Sequence, residues 1–264
     1  MPISIVQRIR NDGPNPGNTQ LPNGLQTIAG QPFKPGNSVL AWTTCANFGG
    51  DHSATLLSDS EGNVYQQLTL ITGSRASLNT SQVLAMWFCP AVKGGTVPAM
   101  FMQQFVGGDV DYQAFYALET TPATVVGATN RVQGAVPIGP NAVTSATAIA
   151  ALPNDLLIGF TFNVSELSPI AAAAPGDGMA LLENIWPFFE PVGPNVCVAV
   201  RVITAPGSYR AYFTPPAGVP DYWQTTGVVL RPGAVVPSVV IQLTSAQLAA
   251  LTTAGGTLTL KGPN

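Results

Sequence analysis

Charge is scarce in this sequence. Only 9% of its 264 residues are Asp, Glu, Lys or Arg, against about 25% in an ordinary globular chain. The ten basic residues are scattered and the formal net charge is −3, so the basic stripe that nucleic-acid backbones require is missing. Nucleic acid is therefore not an expected partner. No run approaches the roughly 18 apolar residues of a membrane span. The start, Met1-Pro-Ile-Ser-Ile-Val-Gln-Arg-Ile-Arg10, lacks the basic segment and apolar core of a secretory leader. The expectation is synthesis in a cytoplasm, with neither span nor signal peptide.

Histidine and cysteine are almost as rare. His52 is the single histidine, so any Ser-His-Asp or Cys-His arrangement would rest on it alone, and no Gly-x-Ser-x-Gly elbow accompanies it. The cysteines number three, an odd count, and no pair has Cys-x-x-Cys spacing; a zinc site is not expected. Cys89 closes Val83-Leu-Ala-Met-Trp-Phe and Cys197 sits inside Val196-Cys-Val-Ala-Val200. Such settings mark buried small hydrophobes rather than disulfide partners. A carboxylate pair for glycoside hydrolysis, for example Asp109 with Glu183, has nothing in its favour, and Asp109 and Asp111 read as turn residues after Gly107-Gly108. The chain is read as a non-enzyme with no cofactor and no metal.

What the sequence has is turns and β-type runs. Its 27 glycines and 24 prolines make up about a fifth of the chain, and 46% of residues are hydrophobic, enough to fold. Val39-Leu-Ala-Trp-Thr-Thr44, Val83 to Cys89, Val97 to Phe105 and Tyr112 to Leu118 are rich in aromatic, β-branched or apolar residues, which predicts strands. Asp59-Ser-Glu-Gly-Asn63, between two such runs, reads as a hairpin turn with Gly62 or Asn63 at positive φ. Read instead as a calcium loop, it lacks the regularly spaced acidic ligands and the distal Glu.

An internal repeat organises these runs. Asn37-Ser-Val-Leu-Ala-Trp42 is echoed by Asn154-Asp-Leu-Leu-Ile-Gly159, which aligns Val39 with Leu156. Val83-Leu-Ala-Met-Trp-Phe is echoed by Val196-Cys-Val-Ala-Val-Arg201, and Asp111-Tyr-Gln-Ala-Phe-Tyr-Ala-Leu118 by the segment from Asp221 to Leu230. The matches keep their order and nearly their spacing. The predicted fold is all-β, an antiparallel β-sandwich or jelly-roll-like arrangement of two internally repeated halves. Residues 1–121 form the first half with an N-terminal strand, and 122–233 form a linker, expected to add an edge strand, and the second half. Residues 234–264 form a small strand-helix-strand extension or arm.

The order of these elements, from Gly-Asn before a buried strand through Asp-Ser-x-Gly-Asn-x-Tyr to the closing Val-Val-Leu-Arg-Pro-Gly233, resembles a β-sandwich module of tailed-bacteriophage virion proteins and prophage-derived proteins. The resemblance spans about Ile3 to Gly233 and rests on turns and strands, so it carries no catalytic residue across. It implies a structural subunit of a virion, a capsid decoration or tail accessory protein, with other virion proteins and further copies of itself as partners. A receptor- or carbohydrate-binding adhesin, as in a tail fibre, is the alternative, and host-surface glycan is then the ligand. For that role the candidate binding loop offers Trp186, Phe188, Phe189, Tyr222 and Trp223 as stacking platforms. The competing reading has Trp42 and Trp87 in the core and Trp186 and Trp223 at sandwich ends or subunit contacts.

The tail beyond the resembled module carries its own apolar run, Val235-Val-Pro-Ser-Val-Val-Ile-Gln-Leu243. Thr244-Ser-Ala-Gln-Leu-Ala-Ala-Leu251 then starts with capping hydroxyls and spaces Leu248 and Leu251 for a short helix. Subunit docking through Val239, Ile241, Leu243, Leu248 and Leu251 is expected, because an unpaired apolar strand aggregates unless covered. Folding back on its own sandwich is the other way to cover it.

Overall fold

The computed structural model describes residues 2–11, 24–48, 53–75, 80–106, 112–134, 142–165, 174–185, 193–215 and 223–233. By its contacts the chain divides into Met1–Ala234 and Val235–Asn264. The second unit, with the docking residues Val239, Ile241, Leu243, Leu248 and Leu251, lies outside the described residues.

The first part of the chain forms β1 (Ile5–Asn11), β2 (Gly24–Ile28), β3 (Ser38–Phe48), β4 (Ser53–Asp59), β5 (Gln66–Arg75), β6 (Thr80–Cys89), β7 (Met100–Val106) and β8 (Tyr112–Thr120). The rest forms β9 (Ala123–Gln133), β10 (Val143–Thr144), β11 (Ile149–Ala151), β12 (Leu156–Ser165), β13 (Ala174–Pro175), β14 (Ala180–Ile185), β15 (Gly193–Val202), β16 (Gly207–Tyr209), β17 (Tyr212–Thr214) and β18 (Trp223–Pro232). There is no helix among the described residues, and every strand pairing is antiparallel.

The two parts wind alike. One five-stranded sheet runs β1-β8-β3-β6-β5 and the other β9-β18-β12-β15-β14. Strand for strand, the second sheet repeats the first. A three-stranded sheet β2-β7-β4 in the first part is matched by β10-β17-β13 in the second, and the β11-β16 pair extends the latter across a break. The segment expected as a linker thus begins with β9, the counterpart of β1, which forms the sheet edge beside β18.

Irregularities repeat as well. Pairing of β1 with β8 skips Val6, and pairing of β9 with β18 skips Val126 at the matching point. A second bulge skips Leu68 in β5 and recurs at Leu182 in β14. A bulge bends one strand and re-aims its side chains. Its recurrence at equivalent positions shows that both edges are shaped in the same way.

Three cores hold these sheets. The central one takes Leu40, Trp42, Leu84, Met86 and Leu118 from the first large sheet and Ile158, Phe160, Phe162, Val198 and Val228 from the second. A second core lies within the first part, where Phe33, Leu57, Tyr65 and Phe101 meet Val39, Ala41, Val83 and Trp87. The third, within the second part, joins Val143, Ala211 and Phe213 to Leu157, Cys197, Ala199 and Val229. The middle strands are therefore buried on both faces: Val39, Leu40, Ala41 and Trp42 are all 0% exposed. A strand in that position is apolar throughout instead of alternating.

Equivalent residues meet across the central core. Trp42 of β3 stacks on Phe160 of β12 with ring centroids 5.3 Å apart and planes 10° apart, and these residues occupy the same place in their sheets. On one side β6 lies opposite β18, where Gln224 Nε2 donates to the Gln82 carbonyl at 3.2 Å. At the edges Arg10 of β1 reaches Glu183 of β14, and Asn130 of β9 reaches the Leu70 carbonyl of β5. The contacts are those of an approximate two-fold axis passing between Trp42 and Phe160, the self-matching interface of a symmetric dimer.

The closeness of the small sheet differs between the parts. A Cβ on Gly159 would stand 2.6 Å from Ala211 Cβ, so β12 requires glycine where β3 carries Ala41.

Candidate functional site

Acidic side chains are the first place to look for chemistry, and among the described residues the buried ones, Asp59, Glu119 and Asp155, are committed to corners of the fold. Asp59 is 6% exposed and ends β4. Its Oδ1 accepts from the amides of Glu61 and Asn63, both at 3.0 Å, and its Oδ2 accepts from Asn63 Nδ2 at 2.8 Å and Tyr65 OH at 2.6 Å. Gly62 takes φ +67°, as expected of the turn. The turn is not a hairpin, however. β4 pairs with β7 and β5 with β6, so the chain crosses here from the small sheet to the large one. Proximity in sequence suggested pairing, but the Asp59 carboxylate gathers four donors on the far side of the turn and carries the chain out of the small sheet.

Glu119 of β8 is fully buried and accepts from Gln7 Nε2 at 2.6 Å, Asn37 Nδ2 at 2.7 Å and the Lys34 amide at 2.9 Å. It secures the loop that enters β3. The same loop in the second part enters β12, and its backbone bonds repeat: Gly36 N to the Val92 carbonyl is matched by Asn154 N to the Ile203 carbonyl. Gly36 has φ +83° and Asn154 φ +74°, asparagine being one of the few side chains that accept the left-handed region. Here the carboxylate comes from the loop itself. Asp155, in the place of Asn37, is 1% exposed and takes Arg231 Nη2 at 2.8 Å and Nε at 3.0 Å.

Burial is the largest single influence on the Asp155 carboxyl and pushes its pKa up. The Arg231 hydrogen bonds, the Leu152 amide and the Arg231 charge together outweigh it, and the net pKa is lowered. A carboxyl with a depressed folded-state pKa contributes stability that is complete above its unfolded value, about 3.9, and is lost as pH falls through the folded value. Chemical denaturation midpoints should therefore drop between about pH 5 and pH 2. In Asp155→Asn that part of the drop should vanish; a variant with the unchanged pH profile would show that the pair does not contribute.

Other charges serve the seam or the surface. Glu183 Oε1 accepts from Arg10 Nη1 at 2.7 Å and Arg8 Nη1 donates to the Leu182 carbonyl at 2.8 Å. The arginine side chains are nearly half exposed, so these pairs orient the sheets more than they stabilise them. Arg201 binds Asp177 and lies over the Tyr209 ring, 5.1 Å from its centroid.

The thiols are enclosed. Cys45, Cys89 and Cys197 are free and buried, as their apolar settings predicted. Burial pushes Cys197 up to about 12 and raises Cys45 and Cys89 as well. A thiol-specific reagent at mildly alkaline pH should react with three groups in denaturant and with far fewer in the native protein. A disulfide in the native protein would contradict this.

The aromatic platforms divide. Trp186, Phe188, Phe189 and Tyr222 lie outside the described residues, as does His52. Trp223 is 0% exposed at the first position of β18, on the face that joins the third core. This corrects its assignment to a binding loop: a β-strand alternates its side chains, and this position points inward. The indole N–H and both amide atoms of Asn163 are buried without a protein hydrogen-bond partner. By the register that pairs Phe162 with Gln224, those two residues are cross-strand neighbours. The stretch 163–194, whose sequence shows no regular strand pattern, contains β13 and β14. Sequence missed them because one is two residues long and the other follows an alanine-rich segment without alternation.

Among the described residues, no group of three His, Cys, Asp or Glu side chains is placed to hold a metal ion. No helix among them is long and apolar enough to cross a membrane. Comparison with known proteins returns no family model that matches the chain, and neither a curated protein nor a solved structure matches it.

Proposed function

We propose that this chain is a structural subunit of a phage virion, a capsid decoration or tail accessory protein, built as two jelly-roll-like β-sandwiches joined through their large sheets. The observation that carries this reading is the winding. In each half the first, eighth, third, sixth and fifth strands form one sheet, and the second, seventh and fourth form the other, counting the broken strands of the second half as one each. That winding resembles a jelly roll, in which the first, eighth, third and sixth strands also share a sheet, and departs from it in placing the fifth strand beside the sixth; jelly rolls are used by viral capsid and lectin domains. Fold alone does not select between them.

The use of polar groups favours the structural role. Asp59, Glu119 and Asp155 are spent on corners, and the surface carries few charges. Assembly runs through protein contacts, with Val239, Ile241, Leu243, Leu248 and Leu251 of the C-terminal arm docking on a neighbouring subunit. The place of action is the virion.

Sedimentation velocity over a range of concentrations, with negative-stain imaging, tests this on the full chain and on a chain lacking residues 235–264. A discrete oligomer or ordered array from the full chain, and a folded monomer from the shortened one, is the expected result. A full chain that stays monomeric and binds defined sugars on a glycan array would overturn the proposal in favour of an adhesin.

A further inference from the structure

The face shared by the two large sheets carries several buried polar side chains on neighbouring strands. Thr44 of β3 and Gln82 of β6 lie on the central-core side of the first sheet, in line with Trp42 and with Leu84, and Gln224 of β18 lies on the same side of the second, in line with Val228. Thr44 is 1% exposed and both glutamines 0%. Thr44 pairs with Leu84, which places Gln82 on the adjacent diagonal of the same face, a separation that long side chains span. Gln224 Nε2 donates to the Gln82 backbone carbonyl at 3.2 Å, which holds the Gln224 amide against β6 beside Gln82.

Four atoms there have no protein hydrogen-bond partner: Thr44 Oγ1, Gln82 Nε2, Gln82 Oε1 and Gln224 Oε1. Buried polar atoms are almost always paired, with protein or with ordered water. The two-fold-related point lies among β12, β15 and β8, where the corresponding residues are Phe162, Pro194 and Ala114. The polar group is therefore confined to one side of the axis and is not a general feature of the seam.

We infer that Thr44, Gln82 and Gln224 enclose a site for ordered water that bridges the two halves. The donor and acceptor pattern selects the ligand. One amide N–H₂ needs an acceptor, two amide oxygens need donors, and the hydroxyl serves either way. An anion would face two carbonyl oxygens, and a cation would face the N–H₂ without a carboxylate to balance it. Water both accepts and donates and carries no charge, and buried waters of this kind make about three hydrogen bonds to otherwise unpaired groups.

A high-resolution crystal structure of the full chain is the direct test. Expected is water density within hydrogen-bond distance of Gln82, Gln224 and Thr44, with cross-peaks from the Gln82 and Gln224 side-chain amides to a long-lived water in nitrogen-edited NMR spectra. Gln82→Leu with Gln224→Leu should remove that density while leaving the sheets in place. Direct pairing of the two glutamine amides after a side-chain rotation, or a dry site in the wild-type protein, would overturn the inference. Neither result bears on whether the chain belongs to a virion.

Discussion

Replacing Trp42 with alanine is expected to lower the unfolding free energy by about 3–5 kcal/mol, the range for removing a large aromatic from a close-packed core. For a protein of this size that corresponds to a fall in melting temperature of roughly 6–20 °C. Trp42 is 0% exposed, stacks on Phe160, leans against Tyr116 with centroids 6.0 Å apart, and donates its indole N–H to Thr226 Oγ1 at 3.0 Å. The change therefore opens a cavity at the axis between the halves and strips contacts from both. Trp42→Phe keeps a ring there and should cost distinctly less. Denaturant titration followed by circular dichroism measures both variants. Equal losses in the two would show that the N–H to Thr226, and not the stack, carries the effect.

Asp59→Ala is the second large effect, at about 3 kcal/mol, because it leaves several donors buried without an acceptor. Tyr65 OH, Asn63 Nδ2 and two turn amides now converge on one carboxylate, and no other acceptor replaces it. The damage should be local first. Hydrogen exchange should speed up at the amides of Glu61 and Asn63 before the large sheets lose protection. Exchange unchanged at those two positions would mean that the turn holds its shape without the aspartate.

Both sites were partly legible in the sequence. Strands β3, β6, β7 and β8 follow the apolar runs that predict them, and the order of the repeat is correct. Its register was harder. Aligning Val39 with Leu156 and Val83 with Val196 places each pair on opposite faces, because the sheet pairings match Leu40 with Ile158, Trp42 with Phe160 and Leu84 with Val196. A shift of one residue exchanges the faces of a strand. In Val39-Leu-Ala-Trp42 every position is buried, so no polar residue marks which face is which. The third match, Asp111 with Asp221, has the register of the sheets, since Leu118 and Val228 occupy equivalent places.

The partners of polar residues were less legible still. Asp155 and Arg231 are far apart in sequence and meet only because β12 and β18 are neighbours. Glu119 finds Asn37 and Gln7 for the same reason. Trp223 followed Asp221-Tyr222 and a proline-rich segment, which looks like loop composition, and only pairing with β9 reveals a strand position whose side chain turns inward. The corner at Asp59 shows the converse error. Its turn chemistry was read correctly, but turn chemistry does not say which sheet receives the next strand.

The axis between Trp42 and Phe160 has a consequence for dilution. Two separate chains joined across such a face would part as their concentration fell, and their stability would depend on it. With both faces on one polypeptide, the partner is always present at the effective concentration set by the short connection from Thr120 to Ala123, typically millimolar or above for so brief a tether. Nor do the facing residues have to be identical. A symmetric pair must set tryptophan against tryptophan or phenylalanine against phenylalanine at its axis, whereas a single chain is free to set one against the other and hydrogen-bond only one of them.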